Sequence, residues 1–151
     1  MSATVPAAES TANEAEREPQ PGVAGLGALA ERIRATGLAV DLVIEGRPFP
    51  LGAAAGLTVY RIVQEALTNT IRHAAASRAS VTIGYDAPLV HVEVSDDGTA
   101  SPPPGARDHR GHGIDGMRER AALHDGTLMA GPAQGGGWTV SAILRPAGSA
   151  S

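Results

Sequence analysis

The spacing of apolar residues along the chain predicts an alternation of helices and strands. Apolar positions three and four residues apart favour helices over residues 23–36, 53–75 and about 113–124. Apolar and polar residues alternate, as in strands with one buried face, over residues 38–45, 81–85, 90–94, 127–130 and 138–144. Elements in this order predict an α/β fold: a two-layer α/β sandwich, with helices on one face of a mixed sheet.

The helix predicted over residues 53–75 has two chemically different faces. At about 100° of turn per residue, one arc is apolar and contains Val59, Val63, Ala66, Leu67, Ile71 and Ala74. The opposite arc carries Glu65, Asn69, Arg72 and His73. We expect the apolar arc to pack against the sheet and the polar arc to present its charged and amide groups on one surface.

Glu65 and Asn69 are one helical turn apart, so their side chains are neighbours. An asparagine oxygen is a hard, neutral ligand that suits Mg²⁺, which usually keeps several waters and shares phosphate oxygens. The carboxylate of Glu65 could polarise a water or an attacking group beside it. The alternative interpretation is an ordinary solvated helix face, which is what most polar helix faces are.

The sequence Asp96-Asp97-Gly98 directly follows the strand predicted over residues 90–94. A carboxylate at a strand end can accept a hydrogen bond from an amino group such as that of adenine. A glycine beside it lets a flat ring approach the backbone. A simple turn is the alternative, because Asp-Gly pairs are common in turns.

Residues 97–111 contain three consecutive prolines and several glycines, which predicts a mobile loop without regular structure. The loop leads into Gly111-His112-Gly113-Ile-Asp-Gly116, and a helix is expected to begin near Gly113. Free N–H groups at a helix start beside glycines bind anions such as phosphates. A dinucleotide-binding βαβ unit is disfavoured because no strand comes directly before the glycines. A merely flexible glycine-rich loop is the alternative.

Composition and charge narrow the class of protein. The absence of cysteine excludes disulfides and thiolate metal sites, and no apolar run is long enough to cross a membrane. The net charge of −4 resides mostly in residues 1–22, so the rest lacks the basic surface that nucleic acids require. We therefore expect one cytoplasmic domain over residues 23–146, with a disordered acidic leader (1–22) and a short disordered tail (147–151).

Taken together, these motifs resemble the ATP-binding domain of bacterial sensor histidine kinases. The match is carried by Tyr60-Arg-Ile-Val-Gln-Glu65-Ala-Leu-Thr-Asn69, by Asp96-x-Gly98, and by Gly113-Ile-Asp-Gly116-Met-Arg-Glu-Arg, and it extends over roughly residues 24–146. Within that family, the motifs resemble the nitrate/nitrite-sensor and desaturase-sensor type. This type belongs to the superfamily of histidine kinases, Hsp90, DNA gyrase and MutL, and the resemblance therefore implies the Bergerat-type ATPase fold.

The resemblance implies a role for each residue of the first two motifs. Asn69 is expected to bind Mg²⁺, and Glu65 to assist the metal or the phosphoryl transfer. Arg72 and His73 are expected to lie near the phosphates of ATP. Asp96 is expected to accept from the adenine amino group, with Gly98 beside the ring.

The third motif and two departures from the family pattern complete these expectations. Gly111 and Gly113 are expected to line the phosphates, and His112 could touch them. Asp97 and Ala100 differ from the usual Asp-Asn-Gly-x-Gly pattern. We expect Asp97 to add negative charge near the site, and Ala100 to stiffen the start of the loop.

The resemblance also implies a partner, because complete kinases of this type carry a helical hairpin with a phosphorylated histidine. All five histidines here lie within or after the Asn69 helix, so no acceptor of that kind is visible. The first hypothesis is therefore an ATP-dependent histidine kinase domain that phosphorylates a histidine on another domain or chain and works with a response regulator. The alternatives are a non-catalytic, nucleotide-responsive regulatory module and a serine/threonine kinase of the anti-sigma-factor type.

Overall fold

A computed structural model describes residues 21–73, 75–98, 106–134 and 136–146, with only the backbone described for residues 73 and 106–112. A short 3-10 turn (Val23–Gly25) leads into helix α1 (Leu26–Arg34), strand β1 (Ala39–Gly46) and helix α2 (Ala53–His73). The remaining elements are β2 (Arg78–Asp86), β3 (Leu89–Asp96), α3 (Ala106–Ala122), β4 (Thr127–Pro132) and β5 (Trp138–Leu144).

The five strands form one mixed sheet in the order β1-β2-β3-β5-β4. β1 and β2 are parallel, as expected for two strands joined through a helix, and the other neighbouring pairs are antiparallel. β2 and β3 form the hairpin that the sequence predicted around residues 86–88. The prediction of an α/β sandwich with a mixed sheet is confirmed.

The core lies between the helices and one face of the sheet. Because side chains alternate along a strand, every second residue of β2, β3 and β5 points to this layer, and all of these residues except Tyr85 and Trp138 are fully buried. Among the most completely buried side chains are Leu26, Val59, Ile62, Val63, Leu67, Val81, Ile83, Val90, Val92, Met117 and Leu144. Aliphatic packing against α2 therefore fixes this helix across the middle of the sheet.

Within the described residues, no helix is both long enough and apolar enough to span a membrane.

Helix α3 begins at Ala106, so the prediction of an irregular loop up to residue 111 and a helix start near Gly113 is wrong for residues 106–112. The segment Ala-Arg-Asp-His-Arg after Gly105 contains no proline, glycine or β-branched residue, and its alanine and two arginines favour a helix. The rest of that loop, residues 99–105 with Ala100, lies outside the described residues.

The last turns of α2 depart from the predicted division into apolar and polar faces. Ile71, which was placed on the packed arc, is 44 % exposed, whereas Asn69 and Thr70 are buried, at 6 % and 4 % exposed. The reason is that polar partners from elsewhere in the chain cover this turn: Gly113 of α3 lies against Asn69, and Asp96 of β3 bonds to Thr70. Asn69 is therefore an internal residue of the polar arc, whereas Arg72 of the same arc stays exposed.

Candidate functional site

The first and third motifs meet where α2 crosses α3. A β-carbon placed on Gly113 would lie 2.7 Å from Oε2 of Glu65 and 3.3 Å from Nδ2 of Asn69. Glu65 is partly exposed, while Asn69 is buried. Gly113 thus allows α3 to approach these two polar side chains more closely than any other residue type would permit.

The second motif joins the first through Asp96, the last residue of β3. Its carboxylate is buried, with 8 % of the residue exposed. Oδ2 accepts a hydrogen bond from Oγ1 of Thr70 at 3.0 Å, and Oδ1 accepts from the backbone N–H of Gly98 at 2.9 Å. Because Thr70 directly follows Asn69 on α2, the carboxylate of Asp96 is tied to the helix turn that carries the buried amide.

Sequence reasoning missed Thr70. Its position next to Asn69, in a helix turn rich in polar groups, was the only available signal. Nothing in the sequence pairs residue 70 with residue 96.

Asp97 turns away from this junction and holds the start of β2. Its carboxylate accepts from the N–H and Oγ of Ser77 at 2.9 and 2.8 Å and from the N–H of Arg78 at 3.0 Å. These bonds, above all the one from the Arg78 N–H, hold the pKa of Asp97 below its usual range. The negative charge that the sequence predicted near the site is therefore hydrogen-bonded to the residues at the beginning of β2 instead.

Gly137 is a second residue whose importance was not apparent from the sequence, where it was only part of a turn. Its backbone is left-handed, with φ of +86°, and a β-carbon there would overlap the backbone carbonyl of Asp96. It precedes Trp138, which pairs with Asp96 in the sheet. The start of β5 is therefore packed directly on the backbone that holds the Asp96 carboxylate.

The remaining predicted side chains are those of Arg72, His73 and His112. Arg72 lies one residue before the end of α2, and its side chain is exposed. His73 ends α2, and its side chain lies outside the described part of the chain, as does that of His112.

Gly111, His112 and Gly113 are all inside α3, so the predicted free N–H groups at a helix start are not found there. The reason is the early start of the helix: Gly113 is its eighth residue, and its N–H is within the range of bonds inside the helix.

Other features of the described residues lie away from the three motifs. Among the described residues, no three histidine, cysteine, aspartate or glutamate side chains form a metal-binding cluster. A cavity of about 410 Å³ lies on the far face of the sheet, around Gly84, His91 and Glu93, and none of the residues that line it belongs to the three motifs. His124 is held by Thr58, with Nε2 and Oγ1 3.0 Å apart.

The model of the family described as histidine kinase-, DNA gyrase B-, and HSP90-like ATPase matches residues 54–148. The match covers more than half of the chain, and the chain therefore belongs to this ATPase family. The matched range includes all three motifs. The sequence prediction of an ATP-binding domain of the histidine-kinase type is confirmed.

Curated relatives are similar over this same domain. Sensor histidine kinase YxjM of Bacillus subtilis (strain 168) is 41% identical over 87 residues, which are 58% of this chain and 20% of the relative. Sensor histidine kinase LnrJ of the same strain is 30% identical over 106 residues, which are 70% of this chain and 26% of the relative. The chain thus spans about a fifth to a quarter of the length of these relatives. The nitrate/nitrite-sensor or desaturase-sensor subtype stays a prediction.

Solved structures share the fold. The histidine kinase domain of the Erythrobacter litoralis EL346 blue-light activated histidine kinase has a TM-score of 0.62 at 21% identity, covering 83% of this chain and 61% of that one. The Acinetobacter baumannii histidine kinase AdeS has a TM-score of 0.60 at 14% identity, covering 81% and 61%. At these identities the likeness supports the fold and leaves the roles of single residues open.

Proposed function

We propose that this chain is the ATP-binding, catalytic domain of a two-component sensor histidine kinase and that it acts in the cytoplasm. In this proposal it transfers the γ-phosphoryl group of Mg·ATP to a histidine on another domain or chain. The observation that carries the proposal is that one part of α2 contacts both of the other motifs. Gly113 of α3 lies against Glu65 and Asn69, and Asp96 of β3 is hydrogen-bonded to Thr70, the residue after Asn69.

Asp96 supplies the adenine end of the proposed site. Each of its oxygens accepts one hydrogen bond from the protein, from Thr70 and from Gly98, and a carboxylate oxygen has two lone pairs. Acceptor capacity therefore remains for the amino group of adenine. The backbone at Gly98 has no side chain to keep a flat ring away.

Asn69 and Glu65 supply the metal end, and their chemistry fits Mg²⁺. Both are oxygen donors, they are adjacent, and Mg²⁺ needs only one or two protein ligands when it also holds waters and phosphate oxygens. We assign Asn69 as the ligand and Glu65 as the group that orients the metal's water or assists phosphoryl transfer. The metal, when bound, neutralises the charge that develops on the transferred phosphoryl group.

The phosphates themselves would lie between these two ends. The exposed guanidinium of Arg72, one turn from Asn69, can pair with phosphate oxygens, and His73 and His112 are further candidates. Gly111 and Gly113 could donate backbone N–H groups only if α3 began later than Ala106, because those groups lie within the helix as it stands. Arg72 is therefore the first phosphate contact to test.

The acceptor histidine is proposed to come from outside this domain. All five histidines (73, 91, 109, 112 and 124) lie within the range matched by the ATPase family. Of the two whose side chains are described, His91 projects from the far face of the sheet and His124 is bonded to Thr58. In-line transfer requires an imidazole presented opposite the γ-phosphate. A histidine-bearing dimerisation domain and a response regulator are the implied partners.

Incubation with γ-labelled ATP tests this proposal. The chain and Mg·ATP are combined with and without a helical-hairpin domain from a related kinase, and with the same hairpin lacking its histidine. We expect an acid-labile label on the intact hairpin alone. Acid-labile label on the chain itself would overturn the argument for an external acceptor. Acid-stable label on a partner serine would favour a serine kinase, and binding of ATP without any transfer would favour a regulatory module.

Replacing Gly113 with alanine should separate fold stability from ATP binding. Alanine favours a helix over glycine by about 1 kcal/mol, and the Glu65 oxygen that it would meet ends a flexible, partly exposed side chain, so the free energy of unfolding should rise or stay unchanged. The new methyl group would press on Glu65, 2.7 Å away, and Mg·ATP affinity should fall several-fold. Calorimetric titration with Mg·ATP, together with urea denaturation, measures both effects.

Gly116→Ala is the matched control for that substitution. It lies one turn further along α3, and its β-carbon would meet only Arg120 Nη1, at 3.4 Å. It should gain the same helix propensity and leave Mg·ATP affinity unchanged. Equal affinities for the two variants would show that the approach of α3 to Glu65 is unimportant for the site.

A further inference from the structure

We propose that Thr70 is a positioning residue that makes the site selective for 6-aminopurine nucleotides, by holding the Asp96 carboxylate as an acceptor. The proposal rests on the function proposed above, in which Asp96 reads the adenine amino group. Thr70 itself touches Asp96 and acts on the nucleotide through it.

The geometry of the hydroxyl carries the first step. Oγ1 of Thr70 lies 3.0 Å from Oδ2 of Asp96 and 3.1 Å from the carbonyl oxygen of Ala66. The hydroxyl has a single proton, and a bond to an ionised carboxylate is stronger than one to a backbone carbonyl. We therefore assign the proton to Asp96, with the Ala66 carbonyl as the alternative acceptor within the helix.

The second step concerns the orientation of the carboxylate. Thr70 donates to one oxygen from α2, and the Gly98 N–H donates to the other from the chain after β3. Two donors from different segments fix both the direction and the plane of the group. Both carboxylate oxygens therefore act as hydrogen-bond acceptors within the protein. Thr70 is buried, so its bond to Asp96 is shielded from solvent.

Base selectivity follows from this arrangement. A carboxylate held as an acceptor pairs with a donor at position 6 of a purine, which adenine has. Guanine has a carbonyl oxygen there and would face the carboxylate with two acceptors and no proton between them. Purine riboside triphosphate has only a C–H at position 6 and makes no hydrogen bond. Loss of the Thr70 hydroxyl frees the carboxylate to rotate, which weakens recognition of the amino group specifically.

Two substitutions isolate the hydroxyl. Thr70→Val removes it and keeps the shape of the side chain, and Thr70→Ser keeps the hydroxyl and removes the methyl group. Thr58→Val is the matched control, because Thr58 is another buried threonine of α2 whose hydroxyl is bonded to His124, away from Asp96. Thr70→Ala, which adds no bulk, makes the same comparison if the valine variant does not fold.

Calorimetric titrations with ATP, purine riboside triphosphate and GTP, all with Mg²⁺, test the proposal. We expect Thr70→Val to lose about five- to tenfold in ATP affinity, with purine riboside triphosphate unchanged. The preference for ATP over GTP should fall by a similar factor. Thr70→Ser should restore both values to those of the parent, and Thr58→Val should alter neither.

Equal losses for ATP and purine riboside triphosphate would overturn the proposal, because a general structural defect does not distinguish the two bases. Failure of the proposed function has a different signature. In that case the parent protein itself would bind ATP no better than purine riboside triphosphate, or would bind no nucleotide at all.

Discussion

Asp96→Asn should weaken ATP binding by about ten- to a hundredfold. Asparagine has nearly the same shape but presents one N–H₂ group where the carboxylate presents only acceptors. The N–H₂ group must then face the Gly98 N–H or the adenine amino group, which are donors, or Thr70, which could accept only by turning its proton to the Ala66 carbonyl. An unmet buried hydrogen bond of this kind costs on the order of 1–3 kcal/mol, which corresponds to the expected loss of affinity. Calorimetric titration of both proteins with Mg·ATP measures it.

Asp97→Asn provides the control for that measurement. It removes the same charge from the next residue, whose carboxylate is exposed and bonded to Ser77 and Arg78 instead. It should leave ATP affinity within about twofold of the parent value, a change well under the cost of a buried unmet hydrogen bond.

The parent protein should also prefer ATP to GTP, and Asp96→Asn should reduce that preference. Equal affinities of the parent for ATP and GTP would contradict the assignment of Asp96.

Gly137→Ala should both destabilise the fold and displace Asp96. The left-handed backbone at this position costs a residue with a side chain on the order of 1–3 kcal/mol. The new β-carbon also overlaps the carbonyl of Asp96, so that β5 or the end of β3 must move. We expect a lower free energy of unfolding in urea and, in the fraction that is folded, ATP affinity at least about tenfold lower, because the Asp96 carboxylate is moved from its position.

Gly136→Ala separates the two contributions to that loss. Gly136 also has a left-handed backbone, with φ of +106°, but no heavy atom lies within 4 Å of a β-carbon placed there. It should carry the backbone cost alone and leave ATP affinity unchanged. If the two alanine variants bind ATP equally well, the contact between Gly137 and Asp96 does not position the site.

The order of helices and strands could be predicted because local patterns determine it. Period-two alternation identified the five strands of the sheet. The polar and turn-forming residues around Gly46 and Asp86 marked the ends of β1 and β2. The start of α3 could not be predicted in this way. The prolines and glycines of residues 97–111 indicate a loop, and the short helix-compatible segment after Gly105 is too weak a signal against them.

The residues of the candidate site could be predicted from the sequence, whereas the contacts that join them could not. Glu65, Asn69 and Asp96 were identified from residue chemistry and from the family resemblance, and the structure brings their segments together. A helical wheel, however, places Asn69 on an open surface of α2 beside Glu65, Arg72 and His73. It contains no information about Asp96 and Gly113, which are distant in sequence and cover Asn69 and Thr70. The roles of Thr70 and Gly137 arise from such long-range contacts and were therefore missed.

The central claim is that Asp96, Asn69 and Glu65 form one Mg·ATP site. Titration of the parent protein with ATP, in excess Mg²⁺ and in excess EDTA, tests it most directly. We expect ATP to bind about tenfold or more tightly with Mg²⁺, and Asn69→Ala to abolish that difference while retaining the EDTA affinity. Equal affinities of the parent protein in Mg²⁺ and in EDTA would contradict the claim.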